Sequence, residues 1–218
     1  MTLATPGRAD PKLRVQVDQR GDFAMFGNTL GYDCVNSTPN PVNGQVGSCT
    51  GGLLGDLLGA TLPDTAPDVF WMSDTPGPGQ ARANVGITPS QARSTAVLNL
   101  PTGASITHAY LYWAARRGTT GADLGVTLTR PGVFDQPVTA VDSYAKSLAD
   151  GTRVYQSVAD VTTLVKAQGG GAYRVSGVDA ADWRAQNNEA SFAGWWMVVF
   201  YQRDADPTRN LALFDGFD

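Results

Sequence analysis

The sequence is poor in the residues that most often carry metal or acid–base chemistry. Its 218 residues include one histidine, His108, and two cysteines, Cys34 and Cys49. These are too few for the four nitrogen or sulfur ligands of a typical structural zinc site. The sequence also lacks C-x-x-C, H-E-x-x-H, G-x-S-x-G and a P-loop, so it carries no motif for thiol redox, zinc peptidase, esterase or nucleotide chemistry. His108 lies within an aromatic strand pattern, which favours a buried core histidine over a catalytic base.

Charge is also scarce, and its type is biased. Charged residues make up 17% of the chain and the net charge is −4, which disfavours binding to nucleic acid or to an anionic membrane surface. Glu189 is the single glutamate among 20 acidic residues. Because aspartate favours turns and caps over helix interiors, this bias indicates strands joined by many turns. The longest apolar run, residues 195–201, is far shorter than the roughly 20 residues of a membrane-spanning helix, so no transmembrane segment is expected.

The two cysteines flank a segment of turn-forming residues. Asparagine, proline and glycine recur between Cys34 and Cys49, and no histidine lies nearby. This pattern predicts a disulfide, which would stabilise the fold by about 3 kcal/mol and place the protein in an oxidising compartment. Residues 1–7 contain no apolar signal-peptide segment, so either the chain is a mature or trimmed form or the inference of export is wrong.

Strand patterns dominate the chain from residue 96 onward, separated by clusters of glycine, proline and aspartate. They predict an all-β fold, an antiparallel β-sandwich of jelly-roll-like type. One or two short helices are expected, near residues 88–93 and 160–167, together with a long covering loop over residues 51–90. We expect residues 1–19 to form a flexible lead and first short strand. Residues 20–218 are expected to form a single β-sandwich domain, either excised from a longer chain or a short paralogue.

Two of these predicted strands, residues 106–113 and 195–201, are apolar on both faces. A strand in a simple sandwich buries only one face, so the second face needs a cover. The long loop is the favoured cover; a second layer, another subunit and a ligand are the alternatives. If a sugar is that ligand, the candidate stacking residues are four tryptophans: Trp71, Trp183, Trp195 and Trp196.

Several aspartates in turn-rich segments form a candidate calcium site, because Ca²⁺ prefers carboxylate and carbonyl oxygens. These residues are Asp64, Asp68, Asp74, Asp204 and Asp206. Capping of turns by the same side chains is the alternative. The Leu-rich segment 51–62 predicts either an apolar tip that docks a partner or lipid, or short helical turns over the core. No other cofactor is expected.

A set of motifs in order along the chain resembles the N-terminal module of large bacterial cell-surface proteins, in particular the adventurous gliding motility proteins of myxobacteria. The motifs are GNTLGYDC (27–34), RSTAVLNLP (93–101), ITHAYLYW (106–113), DVT (160–162), GWWMVVFY (194–201) and RNLALFDG (209–216). The resemblance covers roughly residues 20–218.

This resemblance implies an exported protein, extracellular or in the cell envelope, that takes part in adhesion or gliding. The implied partner is a surface polysaccharide or another envelope protein, and no catalytic residue is implied. Two alternatives are a carbohydrate-binding module that uses exposed tryptophans, and a hydrolase with paired aspartates on a sandwich.

Overall fold

The structure is a computed structural model, and it describes residues 11–35, 38–40, 69–72, 83–84, 88–181 and 192–217. Strands make up most of these residues. The strands are β1 (Lys12–Thr29), β2 (Gly31–Val35), β3 (Thr38–Asn40), β4 (Val69–Met72), β5 (Ala83–Asn84), β6 (Arg93–Leu98), β7 (Ser105–Arg117), β8 (Gly125–Arg130), β9 (Phe134–Thr139), β10 (Asp142–Ser147), β11 (Arg153–Asp160), β12 (Gly171–Ser176), β13 (Ala193–Gln202) and β14 (Thr208–Asp215). A 3-10 helix spans Pro89–Gln91, and the α-helix α1 spans Thr162–Gln168.

The strands form three antiparallel sheets. A six-stranded sheet has the order β10-β11-β7-β13-β1-β14, and a four-stranded sheet has the order β6-β12-β8-β9. These two sheets face each other as a sandwich, while β3-β2-β4-β5 form a smaller third sheet. The prediction of an all-β antiparallel sandwich with short helices is therefore confirmed. Most of the predicted covering loop, residues 51–90, lies outside the described residues.

Both predicted helices are present, and local hydrogen bonds explain where they begin. The backbone N–H of Thr162 donates to Asp160 Oδ1 (2.9 Å) at the start of α1, and Gly169 ends the helix with a positive φ of 67°, which glycine adopts readily. Before the 3-10 helix, the backbone N–H of Thr88 donates to Gln91 Oε1 (2.9 Å). These short-range signals are visible in the sequence, which is why the helices could be predicted.

The main core lies between the six-stranded and four-stranded sheets. Large, fully buried side chains from both sheets meet there: Leu98, Leu111, Trp113, Tyr155, Tyr173, Trp195 and Met197. Polar atoms of these aromatic residues are bonded across the core, for example Trp195 Nε1 to Ser94 Oγ at 2.8 Å. The hydrogen bond offsets the cost of burying the indole N–H.

Strand β1 bends at Gly21 and so belongs to two parts of the six-stranded sheet. Residues 12–20 pair with β14, whereas residues 21–29 pair with β13. Gly21 has φ of 145°, and a Cβ atom there would lie 2.0 Å from the carbonyl oxygen of Tyr201. Only glycine allows this close approach of two backbones. The bend folds residues 12–20 and β14, hereafter the terminal ribbon, over the outer face of the sheet.

The terminal ribbon covers the second apolar face of the central strands. A second buried cluster contains Tyr110, Tyr112, Val158, Val198 and Phe200 from the sheet, with Val15, Val17, Leu211 and Leu213 of the ribbon packed against it. Within the described residues, the cover is the sheet's own curled edge, whereas the sequence favoured the loop 51–90, most of which lies outside those residues. A three-layer arrangement explains why β7 and β13 are apolar on both faces.

One predicted strand and one predicted segment boundary differ from the structure. The sequence pattern over residues 137–144 predicts one strand, but β9 and β10 lie in different sheets there. Ala140 and Val141, which form the crossing, are apolar and contain no turn signal. The predicted boundary between residues 19 and 20 falls inside β1, whose residues 12–20 are paired with β14.

Candidate functional site

A polar cluster joins the two edge strands of the six-stranded sheet, β10 and β14. Its centre is Arg14, which occupies a β-bulge: Leu13 pairs with Phe214 and the next paired residue, Val15, with Leu213. The bulge leaves Arg14 without a ladder partner and redirects its side chain. Arg14 Nε donates to Asp215 Oδ2 (2.7 Å), and Nη2 donates to Asp142 Oδ2 (3.0 Å). We call Arg14 and the residues it joins the seam.

Asp215 is the most buried acid of the seam. Its side chain is 1% exposed. Besides Arg14, the hydroxyl of Tyr112 donates to its Oδ2 (3.0 Å), and the hydroxyl of Tyr144 donates to its Oδ1 (2.9 Å). A buried carboxylate with a cation and two hydroxyl donors is well compensated. Through Asp215 the last strand is therefore held to β1, β7 and β10 at once.

The seam shifts the titration of its members in ways that follow from these contacts. Hydrogen bonds from Lys12 and then Arg14 lower the pKa of Asp142 to about 2. Burial, followed by the hydrogen bond to Asp215, raises the pKa of Tyr144 to about 12. Burial and the charge of Asp215 also raise the pKa of Tyr112, and the bond to Asp215 raises the pKa of Arg14. At neutral pH, Asp142 is ionised and both tyrosines are protonated.

These protonation states suit a structural clamp better than an acid–base catalyst. A glycosidase acid needs a carboxyl whose pKa is raised towards neutrality, whereas the pKa of Asp142 is lowered. Asp142 and Asp215 both receive hydrogen bonds from Arg14, so each already faces a cation. The arrangement therefore stabilises the closure of the curled sheet. Sequence analysis missed Arg14, Asp142, Tyr144 and Asp215 because bulges and strand closure leave no local pattern.

His108 lies half-buried between aromatic rings on the outer face of the sheet. Its ring is stacked on Tyr110 (centroids 6.5 Å, 7° between planes) and meets the ring of Phe200 edge-on at 6.3 Å. Among the described residues, nothing bonds to its Nδ1 atom. A triad base needs a carboxylate at that nitrogen to orient it. His108 therefore packs among aromatic rings as predicted, but it is half-buried and its Nδ1 lacks a partner among the described residues, unlike the buried and satisfied core histidine that was expected.

The tryptophans proposed for sugar stacking lie in different places. Trp195 is 2% exposed and lies in the main core, so it offers no surface for a sugar, contrary to its selection from the sequence. Trp196 faces the other side of the same strand, half-buried and stacked on Tyr112 at 5.3 Å. Neighbouring residues of a strand point to opposite faces, so this pair cannot form one platform. Trp71 lies on β4, where only the backbone is described, and Trp183 lies outside the described residues.

The predicted calcium ligands are only partly described. Asp204 and Asp206 lie in the turn between β13 and β14, where Asp206 pairs with Arg203 (3.5 Å). Asp64, Asp68 and Asp74 lie outside the described residues, and within the described ranges no three potential ligands converge. Cys34 lies on β2, and Cys49 is outside the described residues. The calcium site and the disulfide stay predictions.

Comparisons of the chain with protein-family models, curated proteins and solved structures find no match. Within the part of the chain that the structure describes, no helix is long and apolar enough to cross a membrane.

Proposed function

We propose that the chain is a non-catalytic module of an exported adhesion or gliding-motility protein, where it binds a surface polysaccharide or another envelope protein. The module would act as a rigid scaffold that presents its surface to that partner. The motifs quoted above, which resemble N-terminal modules of large bacterial cell-surface proteins, support this assignment.

The observation that carries the proposal is that the ionisable side chains of the seam bond to one another and join strands. Strongly shifted pKa values often mark catalytic sites. In the seam, the shifted groups Arg14, Asp142, Tyr112 and Tyr144 bond to one another or to Asp215 and close the sheet. Their side chains hold strands together, as expected for a rigid scaffold.

The predicted disulfide supports the extracellular location. We expect thiol titration of the unfolded chain without reductant to detect no free thiol, because Cys34 and Cys49 are paired. Two titratable thiols would contradict the oxidising compartment. Adding reductant should lower the free energy of unfolding by about 3 kcal/mol if the loop closure has its usual value.

A carbohydrate-binding module that uses exposed tryptophans is the alternative function. Its stacking platform needs flat, accessible rings, and Trp195 is buried. The alternative therefore depends on Trp196, Trp71 and Trp183. Sugar binding by another part of the surface would remain compatible with the main proposal.

The proposal can be tested by measuring binding and hydrolysis in the same samples. The purified chain is mixed with acidic and neutral extracellular polysaccharides, and binding is followed by co-sedimentation while reducing ends are measured. A parallel ultracentrifugation series tests association with a second copy of the chain. We expect binding to a polymer or to the chain itself without release of reducing ends. Release of reducing ends, or no binding in either series, would overturn the proposal.

A further inference from the structure

A groove at one end of the sandwich lies apart from the seam. It has a volume of about 650 Å³, within the range of roughly 300–1,000 Å³ that is usual for small-ligand sites. One wall is the connection from β6 to β7, and the other is the glycine turn, residues 169–171, between α1 and β12.

The glycine turn is held in a fixed shape by side chains behind it. The hydroxyl of Tyr173 donates to the carbonyl oxygen of Gly169 (2.7 Å), and Arg130 Nη2 donates to that of Gly170 (2.7 Å). The guanidinium of Arg130 also lies over the Tyr173 ring at 4.9 Å. A Cβ atom on Gly171 would lie 2.5 Å from Arg130, so the clamp requires glycine there. A wall fixed before binding lowers the entropy cost of binding.

The opposite wall is shaped by a tight turn. The backbone N–H of Ala104 donates to the carbonyl oxygen of Pro101 (3.1 Å), and Gly103 adopts a left-handed conformation with φ of 81°. This turn places Ala104 and Ser105 along the groove. Both walls therefore have defined conformations.

The lining combines three kinds of chemistry. Leu100 and Ile106 supply apolar surface, Asn99 and Ser105 supply hydrogen-bonding groups, and Lys166 supplies a positive charge. None of the described lining residues is acidic. This local excess of positive charge stands out in a chain whose net charge is −4 and which has three lysines.

We propose that this groove binds an acidic sugar unit of a polysaccharide, with the carboxylate of a uronate on Lys166. A sugar ring has apolar C–H faces for Leu100 and Ile106, and hydroxyl groups for Asn99 and Ser105. The carboxylate is the feature that a lysine ammonium recognises through a charge-assisted hydrogen bond. This inference rests on the proposed function, and it narrows the partner to an acidic polysaccharide.

The test is a calorimetric titration of the full chain with trigalacturonate. Maltotriose serves as the neutral sugar, and triglutamate serves as an acidic ligand without sugar rings. Lys166→Gln removes the charge in the groove, and Lys146→Gln is the matched change on β10. We expect Lys166→Gln to weaken trigalacturonate binding at least about tenfold, and Lys146→Gln to change it less than about twofold.

A second variant tests the location independently of charge. Ser105→Trp adds a bulky ring at an exposed position on the groove wall and should abolish trigalacturonate binding while the melting temperature stays near that of the wild type. The groove assignment is overturned if trigalacturonate does not bind, if maltotriose or triglutamate binds as tightly, or if the two lysine variants behave alike. One of these results can occur while the chain still binds a polymer in co-sedimentation or associates with itself in ultracentrifugation. In that case the groove assignment is wrong, but the proposed function stands.

Discussion

The hydroxyl of Tyr112 donates a 3.0 Å hydrogen bond to Asp215 Oδ2, and this contact joins the central strand β7 to the last strand, β14. Tyr112 also stacks on Trp196, so its ring lies in the second core while its hydroxyl lies in the seam. Packing of the terminal ribbon and closure of the sheet are therefore coupled through one side chain.

Removing the carboxylate of Asp215 should destabilise the fold more than removing the Tyr112 hydroxyl that donates a hydrogen bond to it. Asp215→Ala leaves Arg14 next to a buried site without its principal partner, and breaking such a pair costs about 3–5 kcal/mol. Tyr112→Phe removes one hydrogen bond to a charged group, at a cost of about 1.5–3 kcal/mol. Urea unfolding of the three proteins measures both differences.

Asp204→Ala is the matched control for Asp215→Ala, because Asp204 is exposed in the turn at the other end of β14. Its free energy of unfolding should stay within about 0.5 kcal/mol of the wild type. Equal effects at Asp204 and Asp215 would show that the seam contributes no special stability.

Acid should weaken the seam through Asp142. The pKa of this carboxyl is lowered from 3.8 to about 2 in the folded protein, so the unfolded chain takes up its proton first as the pH falls. The stabilisation is complete above pH 3.8 and is lost as the pH falls through about 2. The difference in unfolding free energy between wild type and Asp142→Asn should therefore shrink over this interval.

The comparison for this pH series is Asp204→Asn, which removes a carboxylate away from the seam. Chemical unfolding at a series of pH values gives both differences. A gap between wild type and Asp142→Asn that is constant down to pH 2 would contradict the ion-pair assignment.

The sequence was sufficient for the class of fold and for the short helices. Strand alternation, turn clusters and the hydrogen bond from Thr162 to Asp160 before α1 act over a few residues, so their signals are local. The two-faced apolar pattern of residues 106–113 and 195–201 also correctly indicated that a second layer or some other cover was needed.

The identity of that cover could not be predicted, because it depends on contacts between the first and last strands. Gly21 is one of 25 glycines, and nothing near it in the sequence marks a bend over the sheet. Arg14 and Asp215 are about 200 residues apart, and their pairing depends on the bulge and the bend together. Likewise, the groove combines residues 98–106 with residues 166–171, which come together only in the folded protein.

The bend in β1 should be sensitive to a single methyl group. A Cβ atom on Gly21 would lie 2.0 Å from the Tyr201 carbonyl oxygen, so Gly21→Ala must move one backbone away from the other. We expect a loss of stability well above the roughly 1 kcal/mol that an unfavourable backbone conformation alone would cost. Thermal unfolding monitored by near-ultraviolet circular dichroism measures the loss.

Gly103→Ala provides the control for this comparison. Gly103 also has a positive φ, 81°, but nothing lies within 4 Å of the position of its missing Cβ. Gly103→Ala therefore measures the loss of stability caused by the positive φ alone, without a steric clash. If the two alanine variants lose equal stability, the close approach of β1 and β13 does not determine the bend.

The two adjacent tryptophans should respond differently to truncation. Trp195 is buried in the main core and donates to Ser94, so Trp195→Ala should lower the unfolding free energy by about 3–5 kcal/mol. Trp196 is half-buried against Tyr112, and Trp196→Ala should cost less because less apolar surface is lost from the protein interior. Urea unfolding shows which variant loses more stability, provided that the dependence of unfolding free energy on urea concentration is the same for both. A larger loss for Trp196→Ala would show that the second cluster, beneath the terminal ribbon, contributes more to stability than the main core.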